Sequence, residues 1–157
     1  MAKYKHTIPK KNTVKEVSAA YRPKSETEQI PYKKNKILEE INKHEESYKI
    51  LDNIFEITNL PNNKLAKYIY EMTPKTLASY KQKGRYFSSK VTEISIKIKS
   101  LYKKGIDIFI TKENFNSWLE RKSFGLGNIK PITLLSTSTG IDLVYEELVR
   151  IEFGDNA

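Results

Sequence analysis

The chain has 157 residues, no cysteine and a formal net charge of +9. That length allows one domain or two small ones, and the absence of cysteine excludes disulfides, a thiol nucleophile and a Cys-ligated zinc. With only two histidines, His6 and His44, the means for acid–base or metal chemistry are thin, so no catalytic residue, cofactor or metal site is expected.

An apolar fraction of 38% supports a modest core. No run approaches the roughly 20 apolar residues that span a bilayer. The N-terminus carries scattered lysines rather than an apolar signal core. A cytoplasmic protein without a membrane partner is expected. Charge is uneven along the chain. Residues 1–37 hold ten Lys/Arg against three Asp/Glu, a balance of +7; residues 38–110 hold thirteen against nine, +4; residues 111–157 hold five against seven, −2. A basic front suits a polyanion and an acidic back suits a protein partner.

Residues 1–35 contain Pro9, Pro23 and Pro31 and few large apolar residues. They read as a basic, flexible arm. It either follows a phosphate backbone or is a leader with no specific task, and the two readings stay open. A helix is predicted from about Lys36 to Ile57. In it Ile41, Tyr48 and Phe55 lie on one seven-residue seam, suited to packing inside the fold or to homodimerisation.

Asn59-Leu60-Pro61 opens the next element, in which Leu65, Ala66, Ile69 and Met72 share a face. Thr73-Pro74 is a helix start, with Thr as N-cap and Pro in the first turn. The helix is predicted to run from Pro74 to Lys83, with Leu77 inward and Gly84 as its stop. Two short helices joined by an abrupt turn form a helix-turn-helix candidate. Thr73, Lys75, Thr76, Ser79, Tyr80, Lys83 and Arg85 are its candidate DNA-binding residues, because they carry donors for phosphates and base edges.

Ser88-Ser89 caps a further helix, Lys90 to Lys104, ended by Gly105. Glu93 to Ile98 also alternate as a strand would, but about 15 residues is long for one strand. The linker Ile106–Phe109 has no Gly/Ser stretch, so the halves are expected to pack together. Phe115, Trp118 and Leu119 make one apolar face. Phe124-Gly125-Leu126-Gly127-Asn128 is a tight loop. Pro131 starts an apolar turn through Ile132, Leu134 and Leu135. Thr139 is expected to cap the last helix, with Asp142 as its capping-box partner. That helix should bury Ile141, Val144, Tyr145, Leu148 and Ile151 and stop at Gly154. Trp118, Leu134, Leu135 and Leu148 read as core. Glu146 and Glu147 read as a solvated face.

Several of these motifs occur together in one order. Trp118-Leu119 is followed by the loop with Leu126-Gly127, then Lys130-Pro131-Ile132, Leu134-Leu135 and Thr137. Gly140-Ile141, Leu143-Val144, Leu148 and Arg150-Ile151-Glu152-Phe153-Gly154 complete it. From Phe109 to Gly154 this order resembles the toxin-binding domain of the Xre/MbcA/ParS antitoxins. The loop Ser123–Asn128 departs from the usual pattern by lacking a Pro and a second consecutive Gly. The segment Met72–Ser88 resembles the helix-turn-helix half of the same antitoxins.

The resemblance implies a mainly α protein, an Xre-like helix-turn-helix N-terminal bundle plus a small helical C-terminal toxin-binding domain. Its parts would be an arm over 1–35, a helix-turn-helix domain over 36–108 and a toxin-binding domain over 109–157. It implies the antitoxin of a type II toxin–antitoxin system, with a RES-domain, NAD-consuming toxin as partner and operator DNA as a second one. The toxin would be inhibited by covering its active site, and the operon would be autoregulated. An NAD cleft must handle a diphosphate and tends to present cations and N–H groups. The acids at the chain end suit it, and the loop glycines permit close backbone approach. Leu126, Gly127, Arg150, Glu152, Phe153, Gly154 and Asp155 are the candidate toxin-binding residues. The alternative is a helix-turn-helix transcriptional regulator without a toxin. An enzyme is disfavoured, because Ser136–Thr139 lacks the Gly-x-x-x-x-Gly-Lys context of a phosphate loop.

Overall fold

The first helix with a complete buried face is α1 (Ser47–Thr58), whose Ile50, Leu51, Ile54 and Thr58 recur at helical spacing. The structure is a computed structural model that describes residues 38–39, 41–43 and 45–154. The expected arm, together with Ile37, His44 and Asp155, lies outside the described residues. All described residues fall in one compact unit.

The helix expected over 36–57 is interrupted. Residues 38–39 and 41–42 are helical, but Glu46 is extended (φ −61°, ψ 137°) and pairs with Tyr86 in an isolated β-bridge. The Ser47 N–H donates to the Arg85 carbonyl (2.9 Å), and its hydroxyl lies 2.7 Å from the Tyr80 carbonyl oxygen. The Gly84 N–H donates to the Glu46 carboxylate at 3.1 Å. The polar groups at 46–47 are therefore committed to the 80–86 loop, which is incompatible with a continuous helical ladder. The Ile41–Tyr48–Phe55 seam is not the buried face either. All three are half-buried, while Leu51 and Ile54 are fully enclosed.

Asn59, at φ 52°, ends α1 by donating its N–H to the Phe55 carbonyl. α2 (Asn62–Lys64) passes into a π-helical segment (Leu65–Ile69) that buries Leu65, Ala66 and Ile69. Glu71, at φ 48°, makes the turn. α3 (Pro74–Ser79) follows, capped by the Thr73 side chain accepting the Thr76 N–H at 3.1 Å. It is shorter than expected. Turns carry the chain from Tyr80 to Gly84, which adopts φ 74°.

α4 (Ser89–Phe109) is the central element, capped by Ser88. It packs against α1, against α5 (Lys112–Leu119) and against α6 (Ser138–Glu152). Gly105 does not stop it. A Cβ at Gly105 would sit 2.6 Å from the Phe115 ring, so this glycine lets α5 approach α4 closely. The helix ends at Ile110 instead, at φ 71° and well exposed. The Thr111 N–H closes a three-residue turn onto the Phe109 carbonyl at 2.8 Å.

α5 buries Phe115 and Leu119. Trp118 is only half-buried, lying against Phe109 and Phe115 with ring centroids 5.4 and 5.8 Å away, so the expected core tryptophan is a lid on the core. Asn116 ties α5 to two neighbours. It donates to the Thr58 carbonyl (2.9 Å) and accepts from the Tyr102 hydroxyl (2.7 Å). A 3-10 turn (Pro131–Leu134) begins at Pro131 as expected and leads to α6. Leu135 is fully buried, whereas Leu134 is half-buried. The cap of α6 is Thr137, not Thr139, with the Gly140 N–H donating to its hydroxyl at 3.0 Å. Asp142 serves no capping box. It pairs with Lys97 of α4 at 2.7 Å.

Candidate functional site

Two surfaces carry the residues singled out from the sequence. The first is built from the 123–129 loop and α6. Ser123 and Ile129 pair in an isolated bridge, Gly127 and Asn128 take φ 67° and 61°, and the Asn128 N–H closes the loop onto the Ser123 carbonyl at 2.8 Å. This is the tight loop the glycines predict.

Glu147 organises it. The expectation of a solvated Glu147 is wrong: the residue is only 2% exposed. Its carboxylate accepts from the Ser123 hydroxyl (2.7 Å) and from the Arg150 guanidinium, through Nε at 2.8 Å and Nη2 at 2.7 Å. A buried carboxylate needs such donors, because leaving it unpaired is costly. A Cβ on Gly125 would fall 2.2 Å from a Glu147 oxygen, so only a glycine leaves room for the carboxylate under the loop. The sequence held one signal. Glu147 sits among Val144, Leu148 and Ile151, on the stripe that α6 turns inward.

The predicted contact residues have distinct fates. Leu126 is half-buried against the core, and Gly127 is exposed. Arg150 is bound to Glu147 yet keeps 44% of its side chain exposed. Glu152 forms an ion pair with Lys104 of α4. Phe153 is exposed, and Gly154 ends α6 at φ 77° as expected. Three apolar residues absent from the prediction, Phe124, Ile129 and Leu143, are exposed on the same loop and helix.

The second surface surrounds α3. Thr73 and Thr76 hydroxyls bond each other at 2.8 Å, and Ser79 donates to the Thr76 carbonyl. Tyr80 is half-buried, its ring 4.7 Å from that of Phe87. Lys75, Lys83 and Arg85 are exposed. The short polar residues thus shape the turn, and the cations are what it offers to solvent. The Lys83-Gly84-Arg85 loop is held by Glu46 and Ser47, so its position is set by α1.

Among the described residues no cluster of His, Asp and Glu could hold a metal ion. No described helix is long and apolar enough to cross a membrane. Burial raises the pKa of Tyr70, Tyr102 and Tyr145, which moves these phenols away from acid–base work near neutrality.

Residues 104–154 match the family model of the antitoxin Xre/MbcA/ParS C-terminal toxin-binding domain. The match covers the last third of the chain, which is there similar to the antitoxins of that family. No curated protein matches the chain.

Proposed function

We propose that the protein neutralises a RES-type, NAD-consuming toxin by laying the 123–129 loop and the end of α6 over its active site, and that it represses its own operon through α3. The toxin-binding domain match over residues 104–154 carries the first half of this reading. The geometry supports it. Leu126 and Gly127 lie on a loop fastened to α6, and Arg150, Phe153 and Gly154 lie on or just past its last turn. Glu152 adds an anion at this end of α6 and Asp155 follows it in the sequence, both suited to a cleft that handles a diphosphate. The acid Glu152 is held by Lys104 and must share that lysine or release it on contact.

Support for the second half is the exposed Lys75, Lys83 and Arg85 beside a capped short helix and a left-handed turn at Glu71. A turn of that kind lets one helix cross another sharply. The alternative, a DNA-binding regulator without a toxin, would use the same surface and leave the loop and α6 without a task.

Truncation after Leu148 tests the toxin contact. It removes Arg150 and everything beyond it. The shortened chain is expected to lose co-purification with the product of the adjacent reading frame and to lose protection of cells, while retaining operator binding. Undiminished protection by the truncated chain would refute a C-terminal contact.

A further inference from the structure

We propose that Phe124 is the apolar anchor of the partner contact and that buried Glu147 is the positioning residue that presents it. The inference rests on the toxin-binding reading and deepens it. It assigns the partner a surface with an apolar pocket for an aromatic ring, beside an acceptor for the free edge of Arg150.

Phe124 is 83% exposed, the most exposed of the large apolar side chains among the described residues. A solvated phenylalanine on an otherwise charged protein gains by being covered. It is not isolated. Ile129 pairs with Ser123 across the base of the loop, and Leu143 lies one helical turn before Glu147; both are exposed. Three exposed apolar residues thus belong to the loop and to α6, inside the segment matched as toxin-binding.

The loop is also held in one shape, which an anchor requires, since ordering a mobile loop on contact would weaken binding. Ser123 and Gly125 flank Phe124 directly in the chain. Ser123 donates to the Glu147 carboxylate, and any side chain at Gly125 would displace that carboxylate. The same carboxylate takes two of the five Arg150 donors, which leaves the others available on an exposed face. A single buried charge therefore ties down both the residue before Phe124 and the Arg150 guanidinium. Aromatic and arginine side chains are the types that dominate binding interfaces. The proposed contact is thus centred on an apolar ring and one cation rather than on the acids of the chain end.

The test uses the full chain co-expressed with the product of the adjacent reading frame, with affinity measured by titration and folding by thermal melting. Phe124→Ala is expected to weaken binding about 30-fold or more, the loss typical of a hot-spot residue, with an unchanged melting temperature. Gly125→Ala is expected to weaken binding about 10-fold by displacing the carboxylate, an effect of the order seen when a contact is misplaced. Gly125→Ala with Glu147→Asp, which shortens the acid by one methylene, is expected to regain most of it. Wild-type affinity in Phe124→Ala overturns the anchor while leaving toxin binding intact. An absence of rescue in the double variant overturns the role of Glu147. A free chain that changes from dimer to monomer on Phe124→Ala, with partner binding unaltered, shows that the ring serves self-association and overturns the proposal. A wild-type chain that binds no adjacent product removes the toxin-binding reading itself, and the anchor with it.

Discussion

Tyr70 packs against α4 with its hydroxyl 3.0 Å from that of Ser95, and burial pushes its pKa up to about 12, opposed in part by that hydrogen bond. In the unfolded chain the phenol ionises near 10.0. The folded form retains its proton over the interval between, so stability is intact below pH 10 and falls as pH rises towards 12. Two pH units correspond to about 2–3 kcal/mol. Tyr102 is buried as well and acts in the same direction. Urea midpoints measured from pH 9 to 12 should therefore decline, and Tyr70→Phe should decline less. An equal decline in the variant would show that other groups govern alkaline unfolding. A second residue-scale contrast concerns α5. Phe115 is fully buried with its ring 5.0 Å from Tyr102, whereas Trp118 is half-buried. Phe115→Ala should cost about 3–5 kcal/mol, the range for emptying an enclosed aromatic site. Trp118→Ala should cost less, because water already reaches one side of the ring. Denaturant titration of both variants ranks them, and a larger loss for Trp118 would contradict the packing described.

At the scale of elements, α3 and α6 put their charges to different uses. α6 commits most of its charged side chains to neighbours: Asp142 to Lys97, Glu147 to Ser123 and Arg150, Glu152 to Lys104. α3 and the loop after it leave Lys75, Lys83 and Arg85 exposed. If these cations meet phosphates, each contact releases counterions, and the logarithm of affinity falls with the logarithm of salt by about 0.9 per contact. Lys75→Ala and Lys83→Ala should each reduce the magnitude of that slope by about one. A slope that stays the same in the double variant would remove α3 from the DNA interface. The folding of α3 should be indifferent to both changes, since its cap is made by Thr73 and its one buried side chain is Leu77.

At the scale of the whole molecule, α4 decides how the parts behave together. Its 21 residues pack against α1, α5 and α6. Asn116 and Lys112 add polar ties from α5 to the end of α1. The helical body is expected to unfold in a single transition, with equal calorimetric and van't Hoff enthalpies. Gly105→Ala bears on the same point. Its added methyl meets the Phe115 ring, so overpacking of about 1–3 kcal/mol should lower the one transition rather than split it. Two separated transitions in calorimetry would show that α4 does not couple its neighbours.

Local chemistry written in the chain was sufficient wherever a few adjacent residues decide the backbone. Thr73-Pro74 and Ser88 start helices, Pro131 starts a turn, Gly154 ends α6, and the glycines at 125–127 make a loop. The order of motifs from Trp118 to Gly154 also falls within the segment that matches the toxin-binding family model, since that signal is a pattern along the sequence. Only the tertiary structure settled features that depend on residues far apart in the chain. A helix breaks at Glu46 because the 80–86 loop takes the Ser47 N–H and the Glu46 carboxylate, and Gly105 lies inside one with the Phe115 ring against it. Glu147 reads as a surface acid until Ser123 and Arg150 are seen around it. Helical periodicity reports which side of a helix is apolar; it carries no information on which distant group will make burial of a charge affordable.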